Sequence, residues 1–259
     1  MYLPRSLVVT LIAAVALTAE VTSTSTTLTR ASRSTASPVV LPLMFESTPD
    51  GRYHARSLGY AVEVESSAVS ISLPRGAALP PAHVRISFAG ARAGILSPEQ
   101  QLTTTVNYLK GKPEHWRTGL PTYGRVRIGQ PYPGIDAVFY GNDRHLEYDF
   151  VVAAGASAET IAMTFEGADA VSRGASGDLV IAAGGRELTQ HAPVAYQEID
   201  GRRVVVDAAY LVDGVTARLA LGHYDQALPL VIDPVVSYST YWGGTDSDVA
   251  RVIGLICGG

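Results

Sequence analysis

The 259-residue chain is 47% apolar and 17% charged. That balance excludes intrinsic disorder over most of its length and excludes a coiled coil, since the first goes with low hydrophobicity and high charge and the second with heptads rich in Ala, Glu, Lys, Leu and Arg. A formal charge of −4 leaves no basic excess to neutralise a nucleic-acid backbone, and the single Cys257 rules out an intramolecular disulfide framework or a thiolate zinc cluster.

Arg5 begins the chain with a positive charge, and Ser6–Ala19 is an uncharged, mostly apolar run. It is shorter than the roughly 20 residues a spanning helix needs and falls within the roughly 7–15 of an export signal. Residues 1–23 read as a signal peptide, so no membrane span is expected after its removal, and the destination is the periplasm, the cell surface or the medium. From Thr22 to Ser37, 11 of 16 residues are Ser or Thr with no apolar period, and residues 24–37 read as a flexible linker.

From residue 38 to 235 the dominant period is two. Leu146, Tyr148, Phe150 and Val152 alternate with His145, Glu147, Asp149 and Val151, as in a strand whose successive side chains point to opposite faces. The same period runs through Tyr60–Glu65, Val69–Leu73, Val84–Phe88, Val126–Ile128 and Ala217–Leu221. Asp50-Gly51, Asp200-Gly201 and Asp213-Gly214 read as two-residue hairpin turns. The last two predict a three-stranded meander over 197–221, with Val204, Val206, Ala208, Tyr210, Val212, Ala217, Leu219 and Leu221 inward. Ser97-Pro98-Glu99-Gln100 carries a helix-start signature and predicts one or two helical turns, and Ser157–Thr160 predicts another short one. The fold class expected is all-β: one large antiparallel sandwich or two smaller ones, with a sub-boundary near 155–158 and at most short helical turns.

Several runs recur together: Asn107-Tyr108 with Trp116-Arg117-Thr118, Pro121–Val126, Tyr132–Asp136, Val138–Asn142, Leu146–Val152, Phe165–Ala168, Pro193–Gln197 and Leu230–Pro234. As a set they resemble the N-terminal domain of bacterial surface proteins that carry SBBP (β-propeller) repeats. In that family a propeller array follows, and Tyr238–Gly244 with Ser247-Asp248 resembles the start of its first repeat. Residues 236–259 therefore read as the beginning of a repeat that is cut short, because the chain continues as Val252-Ile-Gly-Leu-Ile-Cys-Gly-Gly where further strands are expected. A blade needs about four strands and a propeller at least four blades.

Candidate chemistry is sparse. The six histidines, at 54, 83, 115, 145, 191 and 223, include no local metal-binding pair, and no P-loop, nucleophile elbow or dinucleotide fingerprint is present. Asp246 and Asp248 are too few ligands for calcium. No catalytic residue, metal or other cofactor is expected. The densest polar group runs from Asp136 through Tyr140, Asn142, Asp143, Arg144 and His145 to Glu147 and Asp149. Glu147 and Asp149 share a strand face about 6.6–6.8 Å apart, a spacing that suits either glycoside hydrolysis or ordinary pairing with Arg125, Arg127 or Arg144 on neighbouring strands. Tyr108, Trp116, Tyr123, Tyr132 and Tyr140 fall within 33 residues, an aromatic set suited either to stacking on sugar rings or to packing a core edge.

Three functions are therefore open: a secreted, non-enzymatic structural or interaction module that precedes a propeller array and meets a cell-surface protein or glycan; a carbohydrate-binding or glycoside-active domain, with Trp116, Tyr123, Tyr140, Glu147 and Asp149 as its site; or a truncated product without function.

Overall fold

The computed structural model describes residues 43–57, 59–142 and 145–238, which belong to one compact unit, Val40–Gly259. The leader and linker readings, Asp143, Arg144, the repeat-like run after Tyr238, Asp246, Asp248 and Cys257 lie outside the described residues.

Among the described residues there are strands and two short 3-10 turns. The chain opens with the antiparallel succession β1 (Phe45–Ser47), β2 (Tyr53–Ser57), β3 (Tyr60–Val64), β4 (Ala68–Leu73) and β5 (Ala82–Phe88). A long hairpin, β6 (Ile95–Tyr108) and β7 (Arg117–Tyr132), leads into β8 (Ile135–Asn142) and β9 (His145–Val152). Then come β10 (Ala162–Glu166), β11 (Ala170–Arg173), β12 (Leu179–Ala183), β13 (Arg186–Gln190), β14 (Val194–Ile199), β15 (Arg202–Val206), β16 (Ala208–Asp213), β17 (Thr216–Leu221), β18 (Leu230–Asp233) and β19 (Val235–Tyr238).

The fold is all-β and antiparallel, and its ladders join into one continuous sheet. Its main path runs β16-β17-β10-β5-β4-β3-β2-β1-β7-β8-β9. At β9 the path divides. The C-terminal half of β9 pairs with β18, which continues to β14 and β15, while its N-terminal half pairs with β19, which continues to β13, β12 and β11. Pro234 makes the division: it separates β18 from β19 and has no N–H for a ladder. β11 and β16 come to lie near one another without a ladder between them, so the sheet is nearly closed and barrel-like.

Burial follows the two-residue period. In β9, Leu146, Tyr148, Phe150 and Val152 are buried while His145, Glu147, Asp149 and Val151 are not; β5 and β12 repeat the pattern. The interior is an aromatic spine in which Phe139 stacks on Tyr148 at 5.3 Å, Tyr148 meets Phe150 edge-on at 5.6 Å, and Phe150 meets Phe88 of the opposite wall at 5.4 Å. Edge-on and offset arrangements suit the ring quadrupoles.

Local expectations fare unevenly. Ser157 precedes a 3-10 turn at Ala158–Thr160, as expected. Asp200 and Gly201 have φ of 50° and 73°, the two left-handed positions of a type I′ turn, and Ile199 faces Arg202 across it. At Asp213 the turn falls one residue later than expected: Asp213 pairs with Thr216, so the loop is Gly214-Val215 and the glycine takes the left-handed first position. Asp50-Gly51 lies in a longer loop, closed by Thr48 and Arg52 between Ser47 and Tyr53.

Two expectations are corrected. Ser97–Gln100 is strand rather than helix, because Ser97, Pro98 and Glu99 pair with Arg127, Val126 and Arg125. β6 has a ladder on one side only among the described residues, so the missing N–H of Pro98 costs no ladder bond. Gln100 takes a φ of 55° within an unbroken register, and the ladder shifts only further on, between Gln101 and Thr105. The meander over 197–221 is two hairpins with different partners, β14–β15 beside β18 and β16–β17 beside β10. Asp207 alone separates β15 from β16, too short a link for a hairpin turn. Of the expected inward set, Val206, Tyr210, Ala217 and Leu219 are buried, Ala208, Val212 and Leu221 are half-buried, and Val204 is exposed.

Candidate functional site

β8 and β9 form a tight hairpin whose register sets Tyr140 opposite Glu147 and Val138 opposite Asp149. The same outer face receives Arg125 from β7, which pairs with Tyr140 and places its guanidinium over that ring at 5.1 Å. Tyr140, Glu147 and Asp149 are thus brought together. The Tyr140 hydroxyl donates to Asp149 Oδ1 at 3.0 Å, and Asn142 Nδ2 donates to Glu147 Oε1 at 3.0 Å.

A third carboxylate joins them from a distant part of the chain. Ile232 of β18 pairs with Phe150, so the next residue, Asp233, falls beside Asp149. Asp233 Oδ1 is buried and has no hydrogen-bond partner among the described residues. Burial, then the charges of Asp149 and Glu147, push its pKa up to about 6, with Arg203 opposing. Burial likewise raises Asp149, although the Tyr140 hydroxyl and Arg125 pull it back. Burial and the neighbouring carboxylates push the Tyr140 phenol up, so it stays a donor. Arg203 of β15 closes the group from the far side, its guanidinium 4.3 Å from the centre of the Tyr196 ring.

Chemically this is a carboxylate group that takes up a proton in mildly acidic water and is flanked by two guanidiniums. Glu147 and Asp149 each accept a hydrogen bond from a neutral group of β8, and among the described residues neither forms the ion pair with Arg125 or Arg127 that the pairing alternative expects. Arg125 serves through Tyr140. Arg127 instead bridges Glu99 at 2.6 Å and Asp136 at 2.8 Å.

The other aromatic candidates lie elsewhere. Tyr123 sits in β7 opposite Phe45, with its ring edge-on to Tyr53 at 6.2 Å, as a core-edge residue. Trp116 follows the 3-10 turn Pro113–His115 at the end of the β6–β7 hairpin. Trp116 stands just before β7, and Tyr123, seven positions further on, meets Tyr53, while Tyr140 meets Arg125. Sequence reasoning assigned no role to Asp233 or Arg203; Asp233 lay in a motif whose strand partner no local pattern names.

Among the described residues, no group of three or more His, Cys, Asp or Glu side chains is arranged to hold a metal ion, and no helix is long and apolar enough to cross a membrane.

The described residues form a branched, nearly closed antiparallel sheet with a carboxylate-bearing outer face and a long hairpin. Residues 46–235 match the family model of a domain of unknown function, DUF7948, and the chain belongs to that family. Neither a curated protein nor a solved structure matches the chain.

Proposed function

We propose that the chain is an exported, non-catalytic β-module that presents the β6–β7 hairpin to a protein partner outside the cytoplasm. The observation that carries this reading is the hairpin's end, where every residue from Leu109 to Gly119 is exposed. Leu109 is 60% and Trp116 44% exposed, and Lys110, Lys112 and Arg117 surround them against the single carboxylate of Glu114. A large aromatic beside an aliphatic residue, within a charged rim, is the composition of an interface centre. The partner that fits is a protein with an apolar pocket and an acidic border.

Other features support placing this module before a propeller array. The family resemblance runs in the same motif order, and β19 ends at Tyr238, where the repeat-like run begins. In this reading the sheet caps the first blade, and its two walls, packed through Phe88 and Phe150, act as a flattened sandwich. The basic leader and Ser/Thr-rich spacer would export the module and give it reach.

The test is photo-crosslinking of the full chain in the cells that produce it, with a photoreactive residue at position 109, 116 or, as control, 173. Positions 109 and 116 should each yield a discrete adduct that position 173 does not. Equal labelling at all three, or none at the hairpin end, overturns the proposal.

A further inference from the structure

Glu46 presents the clearest unmet chemical need in the described residues. It lies in β1 directly opposite His54 of β2, is 9% exposed, and accepts a hydrogen bond from the Tyr108 hydroxyl at its Oε1. Its other oxygen, Oε2, is buried with no partner. A buried carboxylate oxygen left unpaired costs more than a hydrogen bond returns.

That carboxylate lines a cleft of about 280 Å³ between β1, β2 and the β6–β7 hairpin, and the same cleft is lined by Arg56 and Arg117. Arg56 donates through Nε to His54 Nε2 at 2.8 Å, which holds the ring as an acceptor and leaves the terminal nitrogens of the guanidinium for something else. Burial and then the Arg56 charge lower the pKa of His54, with Glu46 and Glu63 opposing. Arg117 lies over the Tyr108 ring at 5.9 Å. Neither Arg56 nor Arg117 has an ion pair among the described residues, whereas Arg52, Arg85 and Arg127 all do.

A second cleft, of about 510 Å³ beside Arg92, Gln130 and Asp136, differs in this respect. There Arg92 donates to the carbonyl and side-chain oxygens of Gln130, and Asp136 accepts from Arg127 and from the Gln130 backbone N–H. Its polar groups are matched internally; those of the Glu46 cleft are not.

The cleft is thus lined by two arginines without an ion pair among the described residues and by one carboxylate. A plain cation meets the guanidiniums, and a plain anion meets Glu46. We propose that the cleft binds a small carboxylate bearing a hydrogen-bond donor on a neighbouring carbon, with its carboxylate on Arg56 and Arg117 and its hydroxyl or ammonium donating to the Glu46 carboxylate. The guanidinium fork matches carboxylate geometry, and charge-assisted bonds of this kind are the strong ones. The site shares Arg117 with the exposed hairpin end but is built on Glu46 and Arg56 and does not depend on the partner reading above.

Calorimetric titration of the full chain tests it, using sodium D-glucuronate as a sugar acid, L-alanine as an amino acid, sodium propionate as a carboxylate without the donor, and D-glucose as a sugar without the carboxylate. Glucuronate or alanine should saturate one site, whichever does so identifying the source, with propionate about tenfold weaker and glucose silent. Arg117→Gln, a change on the exposed hairpin, should weaken binding about tenfold while thermal melting is unchanged, and Glu46→Gln should erase the advantage over propionate. Saturation by neither ligand, or affinities that Arg117→Gln leaves intact, would overturn the proposal.

Discussion

Gln190 ties three strands of the interior together, and its removal has a calculable cost. It is fully buried in β13, its Oε1 accepts from the Tyr148 hydroxyl of β9 at 2.9 Å, and its Nε2 donates to the Tyr210 hydroxyl of β16 at 2.8 Å. Both tyrosines are themselves fully buried, and burial raises both phenol pKa values, so they remain neutral. Gln190→Leu keeps nearly the same volume and deletes both bonds. Tyr148 retains only the weak Met163 Sδ acceptor at 3.1 Å. At about 1–3 kcal/mol for each buried group left unpaired, the loss is about 2–5 kcal/mol, a large part of the roughly 5–15 kcal/mol that holds a domain folded. Urea unfolding reads this as a lower midpoint at constant slope. The triple variant Tyr148→Phe, Gln190→Leu, Tyr210→Phe should regain most of the loss, because donors and acceptors disappear together. A single variant costing under about 1 kcal/mol, or a triple variant weaker than the single, would refute the reasoning.

Two further outcomes follow from the same geometry. The pKa of Asp233 stands at about 6 in the folded chain against 3.8 as its ordinary value, so the fold binds that proton more readily than the unfolded chain does. Its contribution is therefore fully present below the unfolded value and lost as pH rises from about 4 through 6; Asp233→Asn should flatten thermal stability across that window and gain at most about 1 kcal/mol above it after solvent screening, and an unchanged pH profile would count against the Asp149–Asp233 contact. Tyr132→Phe removes a hydroxyl that donates toward Ala89 O and Ala162 O, both at 3.0 Å, and accepts from Ala162 N at 3.2 Å; the stranded Ala162 N–H should cost about 1–3 kcal/mol, read by chemical denaturation, with hydrogen exchange quickening first at the β5–β10 junction.

The strands were legible because a two-sided sheet writes its period into the chain. β9 shows this best, with four apolar residues inward and His145, Glu147 and Asp149 among those left outside. Turns were legible where one residue pair decides them, as at Asp200-Gly201. What local pattern does not contain is the choice of neighbour. Ser97-Pro98-Glu99-Gln100 has good helix-start chemistry, yet Glu99 accepts from Arg127 at 2.6 Å across the β6–β7 ladder and the segment stays extended. The single continuous sheet was hidden for the same reason: it depends on Pro234 handing β9 from one partner to another, a consequence of β9's position rather than of any residue near Pro234.

The candidate site repeats this lesson at the level of charge. Two carboxylates two residues apart must share a strand face, and that was readable. Whether they are reactive, paired or strained depends on what adjacent strands deliver. β8 delivers Tyr140 and Asn142, which engage both anions, and β18 delivers Asp233, which crowds them. Glu46 makes the opposite case: its segment has no distinctive spacing, and its significance arises only because β2 and the hairpin bring Arg56 and Arg117 to the cleft it lines while one of its oxygens stays bare. For a sheet of this kind, unmatched hydrogen-bonding capacity across ladders is a better guide to binding than the density of polar residues along any one strand, because dense polar runs on a sheet surface tend to satisfy one another.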